Sequence, residues 1–421
     1  MNTFVFDIGK TNLKGVVLDD SGESIWSRTS ANVSSVSGDY LHLDVDNIWC
    51  WLQSILKEAA ELYEISAINV STHGACAVLL DADGELVFPV VDYEFDQLIV
   101  EGGNYDDLRP SFDKTLSPDL AGGLNLGRQI WWLANKYPDR FCAVHQILMY
   151  PQYWVWKITG IAVMELTSLG CHTDLWEPQN QQYSSLVYSL DLEKRLPPLV
   201  DSTDKVGEVL PELAKKLGLP GACGVYAGVH DSNASFARYL ASNIENEFTV
   251  ISTGTWIISM ASDGDIDGLA ESKDMLANTN VLGQPTVCAR FMGGREFEEI
   301  CRLTGATLDQ RISSAEVEAT IAGEVFAIPP FEAESGPFRH ANSKGSVTGD
   351  LRKSGVALAT LYLSLMMDYE LELLKSRGPI LLGSTSRKNP MLCSLLAQLR
   401  PEQDVLMSND SASTIRGAWC L

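Results

Sequence analysis

Basic residues are scarce in this sequence: 31 Lys and Arg stand against 55 Asp and Glu in 421 residues, a formal net charge of −24. Binding a phosphate backbone needs a positive face, so the deficit argues against nucleic acid as a partner. A free anionic metabolite is repelled as well, unless a metal ion or backbone N–H groups screen it. Long apolar runs are missing too. None approaches the roughly 18–20 residues that cross a bilayer, and the longest are broken by Thr, Ser, Gly and Pro, so no membrane partner is expected. Cys50, Cys76, Cys142, Cys171, Cys223, Cys288, Cys301, Cys393 and Cys420 include no Cys-x-x-Cys pair, which removes a disulfide scaffold and a zinc ribbon. The opening Met1-Asn2-Thr3-Phe4-Val5-Phe6-Asp7 has no basic segment, so no signal peptide is read and a cytosolic location is expected. Neither Gly-x-x-x-x-Gly-Lys-[Ser/Thr] nor a Gly-x-Gly-x-x-Gly after a strand occurs, and no repeat of 20–50 residues is visible.

What remains is an ordinary folding composition, with 45% hydrophobic and 20% charged residues. Single cores stop growing near roughly 250–300 residues, so the length implies two domains, with a small ligand expected in a cleft between them. The boundary is placed near 240, giving domains 1–240 and 241–421.

The chain opens as a strand (Thr3 to Phe6), a polar turn (Asp7-Ile8-Gly9-Lys10-Thr11-Asn12) and a second strand (Leu13 to Leu18). Apolar spacing from Asp46 to Tyr63 predicts an amphipathic helix, and Ile65 to Val70 a buried strand. Asp81-Ala82-Asp83-Gly84 reads as the turn of a hairpin within Val78 to Val91. Residues 94–127 read as loops. Arg128 to Lys136 begins a helical block that continues, after Pro138, to the aromatic run Tyr150 to Ile158. The cluster of Trp131, Trp132, Tyr150, Tyr153, Trp154 and Trp156 reads as core. A strand from Gly224 to Val229 leads through His230-Asp231 into a helix beginning at Ser232 or Asn233. At Phe248 the opening pattern returns: a strand to Ser252, the turn Thr253-Gly254-Thr255, and a strand from Trp256 to Met260.

Gly at such a bend lets backbone N–H groups reach an anion, Thr hydroxyls add donors, and an Asp holds magnesium through water. Either turn alone is ordinary hairpin chemistry. Its recurrence at the start of both domains points to a clamp for a polyphosphate.

Four segments, Phe6 to Asn12, Ser71-Thr72-His73-Gly74, Gly228 to Ala234 and Ile251 to Trp256, together resemble the carbohydrate kinases of the FGGY family, in the superfamily of sugar kinases, actin and Hsp70. The opening motif is similar to that of deoxyketose kinases such as rhamnulokinase and L-fuculokinase. The resemblance implies an α/β fold of two RNase H-like (actin-like ATPase) domains, with sugar and MgATP meeting in the cleft. It implies Asp231 as the general base that accepts the proton of the attacking hydroxyl, where the alternative is a plain helix N-cap. It implies His73, Gly74, Asp92, Tyr93 and His230 on the sugar, with Glu94 a further hydroxyl partner, and Asp7 on the magnesium waters. Gly9, Lys10, Thr11, Asn12, Thr253, Gly254 and Thr255 fall to the phosphates, and Gly383, Ser384 and Asn389 to the adenosine. The Arg290 to Arg295 segment, with its two glycines, is a weaker candidate for either ligand.

One departure matters. The family places a run of glycines against adenosine, whereas here the loop reads Leu382-Gly383-Ser384-Thr385-Ser386-Arg387-Lys388-Asn389, and the later motif reads Ser411 to Ala418. Ser384 and Thr385 are expected to stand off the adenine ring and weaken nucleotide binding. The implied function is ATP-dependent phosphorylation of a ketose, L-rhamnulose first. The alternative is a catalytically weak or silent sugar-binding or regulatory homologue with a decayed adenosine site. The expected ligands are a small ketose, ATP and Mg²⁺; the oligomeric state, with a homodimer as one candidate, stays open.

Overall fold

The computed structural model describes residues 2–242, 247–308, 310–349, 355–408 and 413–421. Its contacts divide the chain into two compact units: Met1–Ser242 with Asn278–Pro285 and Ala412–Leu421, and Asn243–Ala277 with Thr286–Ser411.

The first unit is built on a mixed sheet in the order Lys205–Glu208, Gly224–Tyr226, Ile65–Thr72, Asn2–Ile8, Asn12–Leu18, Ser24–Ala31. The hairpin Asn2–Ile8/Asn12–Leu18 is antiparallel, with Asp7 opposite Lys14. Ile65–Thr72 lies parallel to Asn2–Ile8, with Ser71 beside Asp7 and Thr72 beside Ile8. The short strand Val229–His230 pairs in parallel on the other side of Ile65–Thr72, His230 beside Thr72. Three adjacent parallel strands therefore end together, and ligands of α/β sheets gather at such carboxyl ends.

Helices cover both faces of this sheet. Val45–Leu62 buries Val45, Ile48, Leu52, Ile55, Leu56 and Ala59, and Asp44 caps it by accepting from the Asn47 N–H at 3.1 Å. It packs so closely on the hairpin that a Cβ on Gly15 would fall 2.2 Å from Ile55 Cδ1. On the opposite face Val5, Val16, Leu18, Val229 and Ala234 pack with Ile415 and Ala418 of the helix Ser413–Cys420. Gly417 makes that crossing feasible, since a Cβ there would lie 1.6 Å from the Ala234 carbonyl oxygen.

Two local expectations need correction. The turn at Asp81–Gly84 forms, but Ala77–Leu80 takes its regular partner from Gln146–Met149, while Leu86 makes only an isolated bridge to Leu80. The helical block after Arg128 is likewise interrupted: Leu126–Lys136 and Pro138–Phe141 are followed by that Gln146–Met149 strand, and only then by the helix Tyr150–Thr159. Trp131, Trp132, Tyr150, Tyr153 and Trp154 are buried as expected of core.

The second unit repeats the plan. Its sheet runs Leu276–Thr279, Pro285–Phe291, Ile257–Ala261, Thr249–Thr253, Ile380–Leu382, Val405–Met407. Again an antiparallel hairpin is followed by parallel strands, with Val250 beside Leu381. The core is Ile251, Phe291 and Ile380 packed against one side of the helix Gly355–Leu373.

Candidate active site

The ends of the three parallel strands of the first unit carry Asp7, His73 and His230-Asp231. Asp231 is the first residue of the helix Asp231–Leu240 and His230 is its N-cap. Asp231 is thus one residue past the N-cap, and its Oδ1 accepts from Ser232 N–H, a first-turn donor of the helix, at 2.6 Å and from the Ser232 hydroxyl at 3.2 Å. Its side chain keeps 32% exposure, and His230 Nε2 stands 3.4 Å from Oδ1. The His230 ring is buried, which holds its pKa below the usual histidine value although the Asp231 charge works the other way.

Asp7 is pushed up to about 7, first by burial and then by the negative charge of Asp231; Lys14, its neighbour across the hairpin, offsets part of this. His73 lies buried between Tyr93 and Tyr150, with ring centroids at 5.7 and 5.2 Å. Its Nδ1 faces the Gly74 carbonyl at 3.0 Å, while Nε2 has no hydrogen-bond partner among the described residues. Burial lowers its pKa, so the ring is a neutral, unsatisfied group of the kind that takes a ligand hydroxyl.

The turn behind Asp7 is tight, with Gly9 N–H donating to Asn12 carbonyl at 2.9 Å and the Asn32 amide bracing the Gly9 carbonyl at 2.8 Å. Thr11 and Asn12 are exposed there. Lys10 does not extend into solvent. Its ammonium is bound to Asp92, lies 3.2 Å from Glu94 Oε2 and 3.3 Å from Ser34 Oγ, and sits over the Tyr93 ring at 5.2 Å. Asp92 is fully buried and also accepts from Ser34 and from Glu94 N–H. Burial alone would raise its pKa; the donors from Lys10, Ser34 and Glu94 outweigh that and hold it low. Asp92 thus spends its oxygens on the protein, and what it presents is Lys10 and the segment of Tyr93.

In the second unit the Thr253-Gly254-Thr255 turn meets the N-terminus of the helix Gly293–Thr304. Gly294 N–H donates to the Thr255 carbonyl at 3.1 Å, and a Cβ on Gly294 would fall 2.5 Å from the Gly254 oxygen. Arg290 is held inside the unit by Asp274 at 3.2 Å and lies over Trp256. Gly383 donates to the Ile251 carbonyl at 2.8 Å, and Ser384–Lys388 forms a short 3₁₀ turn. The Thr385 hydroxyl is turned to Thr253, Oγ1 to Oγ1 at 2.6 Å, and Ser386 Oγ stands 3.0 Å from the same Thr253 Oγ1. Thr385 thus braces the hairpin and does not project freely from the loop. Asn389 donates to Thr360 Oγ1 at 2.8 Å. Beside this loop lies a cavity of about 730 Å³, with Phe297, Val356 and Pro390 on its apolar side and Arg387, Lys388 and Asn389 on its polar side. Of the second adenosine-side motif, Ser411 and Ala412 lie outside the described residues. Gly417 and Ala418 pack within the first unit, on the helix headed by Asp231.

Comparison with known proteins gives the family. Residues 3–237 match the model of the FGGY family of carbohydrate kinases, N-terminal domain, and residues 245–421 match that of the carbohydrate kinase FGGY, C-terminal domain. The chain belongs to the FGGY family of carbohydrate kinases. A carbohydrate kinase from Novosphingobium aromaticivorans is 34% identical, with TM-score 0.89 over 99% of this chain and 90% of that one. A xylulose kinase from Lactobacillus acidophilus has the same fold, at TM-score 0.81 and 17% identity over 99% of this chain and 88% of that one. L-fuculokinase from Salmonella typhi is 26% identical over 277 residues, which are 62% of this chain and 57% of the relative. The chain thus spans little more than half the length of the curated relative it matches.

FGGY kinases imply a magnesium ion, and the residues present fit one. Asp7 accepts no hydrogen bond among the described residues and is set against the charge of Asp231, an acid pair that a hydrated divalent cation would compensate. Among the described residues no group of three or more His, Cys, Asp or Glu side chains forms a metal cage. Magnesium keeps most of its waters and takes one or two carboxylates plus phosphate oxygens. Two residues of the site escaped the sequence reading: Ser34, which joins Lys10 and Asp92, and Thr167, whose hydroxyl meets the His230 backbone. Neither sits in a motif, and both arrive through tertiary folding alone.

Proposed function

We propose that this FGGY chain is an ATP-dependent ketose kinase. The observation that carries the reading is the convergence of Asp7, His73 and Asp231 at the ends of three neighbouring parallel strands. Asp231, part-exposed and held by Ser232, accepts the proton of the attacking sugar hydroxyl as its oxygen forms the new bond to the γ-phosphorus and ADP leaves. His73, through its unsatisfied Nε2, binds a hydroxyl and orients the acceptor. Asp7 holds the water shell of Mg²⁺, which when bound neutralises the phosphate charge. Thr11 and Asn12, with Thr253, Gly254 and Thr255, offer donors to the phosphates, and Gly383, Ser384 and Asn389 border the nucleoside.

The substrate is read as a deoxyketohexose, L-rhamnulose or L-fuculose, on the opening motif and on the likeness to L-fuculokinases. ATP and the ketose are the partners, and a cytosolic location belongs to the same reading. The deciding measurement is ADP release with MgATP across ketoses, glycerol and aldohexoses. Turnover of a deoxyketose is expected; preference for glycerol or an aldohexose would remove the substrate assignment. Sugar binding without ADP release would leave a silent homologue.

A further inference from the structure

Asp231 is aligned by a residue that no motif marks. His230, the N-cap of its helix, contributes no side-chain cap, so the turn into that helix depends on backbone ties. The His230 N–H donates to Thr167 Oγ1 at 3.0 Å. On the far side of Asp231, the Asn233 amide reaches the Thr167 carbonyl at 3.4 Å. Thr167 therefore grips the turn on both sides of the proposed base.

The direction of this grip is set by Glu165. That carboxylate is fully buried and accepts the Thr167 hydroxyl at 2.6 Å, Thr167 N–H at 2.9 Å, Ser168 N–H at 3.4 Å and the Ser202 hydroxyl. Burial raises the Glu165 pKa, and the donors from Ser202, Thr167 and Ser168 work against that rise; in its charged form the carboxylate only accepts, and a hydroxyl has one proton to give. Once the Thr167 proton is committed to Glu165, only its lone pairs face His230, where an N–H waits. Both Thr167 and Glu165 have zero exposure, so water is no substitute on either side.

We propose that Thr167, oriented by the buried Glu165 carboxylate, is a positioning residue that fixes the backbone around Asp231 for proton abstraction. The proposal rests on the kinase reading above. Misplacement of a reacting group by about 1 Å costs up to about 10²-fold in rate, while substrate affinity has no need to change.

The test uses the full chain carrying Thr167→Val, Thr167→Ser or Glu165→Gln, with two readouts. One is steady-state kinetics on the best sugar of the wild type; the other is amide exchange over Val229 to Ala234, with the helix Val45–Leu62 as internal reference. Thr167→Val is expected to lower kcat by about tenfold or more, leave the sugar KM within about threefold, and speed exchange only in the turn. Thr167→Ser should return both toward wild type. If Thr167→Val does not fold, Glu165→Gln carries the same two expectations, because its amide nitrogen meets donors where an acceptor stood. A folded variant with kcat within about twofold of wild type, or with unchanged exchange in the turn, overturns the proposal. A wild type inactive on every sugar instead removes the kinase reading, and the exchange readout still decides the alignment.

Discussion

A Cβ on Gly74 would stand 2.8 Å from Nε2 of His230, so the segments that end two neighbouring parallel strands meet with no room for a methyl group. Gly74 has an ordinary backbone, and proximity rather than conformational freedom is what demands glycine there. The Gly74→Ala protein should push the buried His230 ring off Asp231. Overpacking of this kind costs about 1–3 kcal/mol of stability, and turnover should fall by about tenfold or more. Gly221→Ala, whose added methyl meets nothing within 4 Å, is the control. Melting temperature and kcat measured side by side would decide; a Gly74→Ala enzyme indistinguishable from the control would show that His230 can move without consequence.

Asp231→Asn keeps the shape of the side chain and loses the proton acceptor. Turnover should drop by roughly 10²–10⁴-fold while MgATP binding stays near wild type. Retention of more than about a tenth of the activity would point to another base.

Asp7 makes stability depend on pH. Its folded pKa is raised from 3.8 to about 7, so the native state takes up a proton that the unfolded chain has already released. The favourable term is thus complete below about pH 4 and declines as pH rises toward 7, beyond which the charged Asp7 destabilises the metal-free protein. Asp7→Asn should flatten this slope and add on the order of 1–3 kcal/mol at pH 8 without magnesium, while ending magnesium-dependent transfer. Denaturant titrations at pH 5 and pH 8 measure it, and an unchanged slope would mean that Asp7 is not the group responsible.

Thr385 holds the Thr253 hydroxyl at 2.6 Å, which alters what loop substitutions should do. Thr385→Gly removes a brace of the phosphate-side hairpin and should weaken ATP binding by roughly threefold to tenfold, while Thr385→Ser changes little. Ser384→Gly alone should be neutral or slightly favourable. Tighter ATP binding by the Thr385→Gly protein, read by calorimetry, would restore the simpler view that both side chains merely obstruct the base.

Glu370 is fully buried in the second unit, where among the described residues it accepts only the Ser259 hydroxyl on one oxygen at 2.9 Å and leaves the other unpartnered. Burial drives its pKa well up, so it sits in the fold as a neutral acid. Glu370→Gln, already neutral, should match wild type in stability near pH 5 and exceed it at pH 8, since the native proton uptake it abolishes favours folding less as pH rises. Thermal melts at both pH values check this, and equal melting temperatures at pH 8 would count against it.

Much of this site was readable because its chemistry is local. The turn Gly9 to Asn12 and the strand-to-helix entry at His230-Asp231 are short patterns whose geometry the intervening residues dictate. The helix expected over Asp46 to Tyr63 forms as Val45–Leu62, because its periodic face matches one side of a sheet. What was not readable depends on pairings across long separations. The turn at Asp81–Gly84 formed as its residues demand, yet Pro89 lacks a ladder N–H, and the regular partner of Ala77–Leu80 came from residues 146–149. Lys10 found Asp92, and Thr167 found His230, through folding that no spacing in the sequence announces. The late segment Ser411 to Ala418 was read only as a departure from the family pattern, whereas the packing of Gly417 against Ala234 follows from steric need.

That last contact bears on the order of synthesis. The second unit is an insertion within the first, whose final helix, Ser413–Cys420, seals the face behind the strand of Val229 and the helix of Asp231. A nascent chain has therefore made every residue of the proposed base and sugar site by position 231, yet the face of their sheet lacks the cover of Ile415 and Ala418 until some 180 further residues have been made, roughly ten to forty seconds at typical translation rates. During that interval Val5, Val16 and Leu18 lack that part of their packing, and sequence distance rather than chemistry sets how long they wait for it.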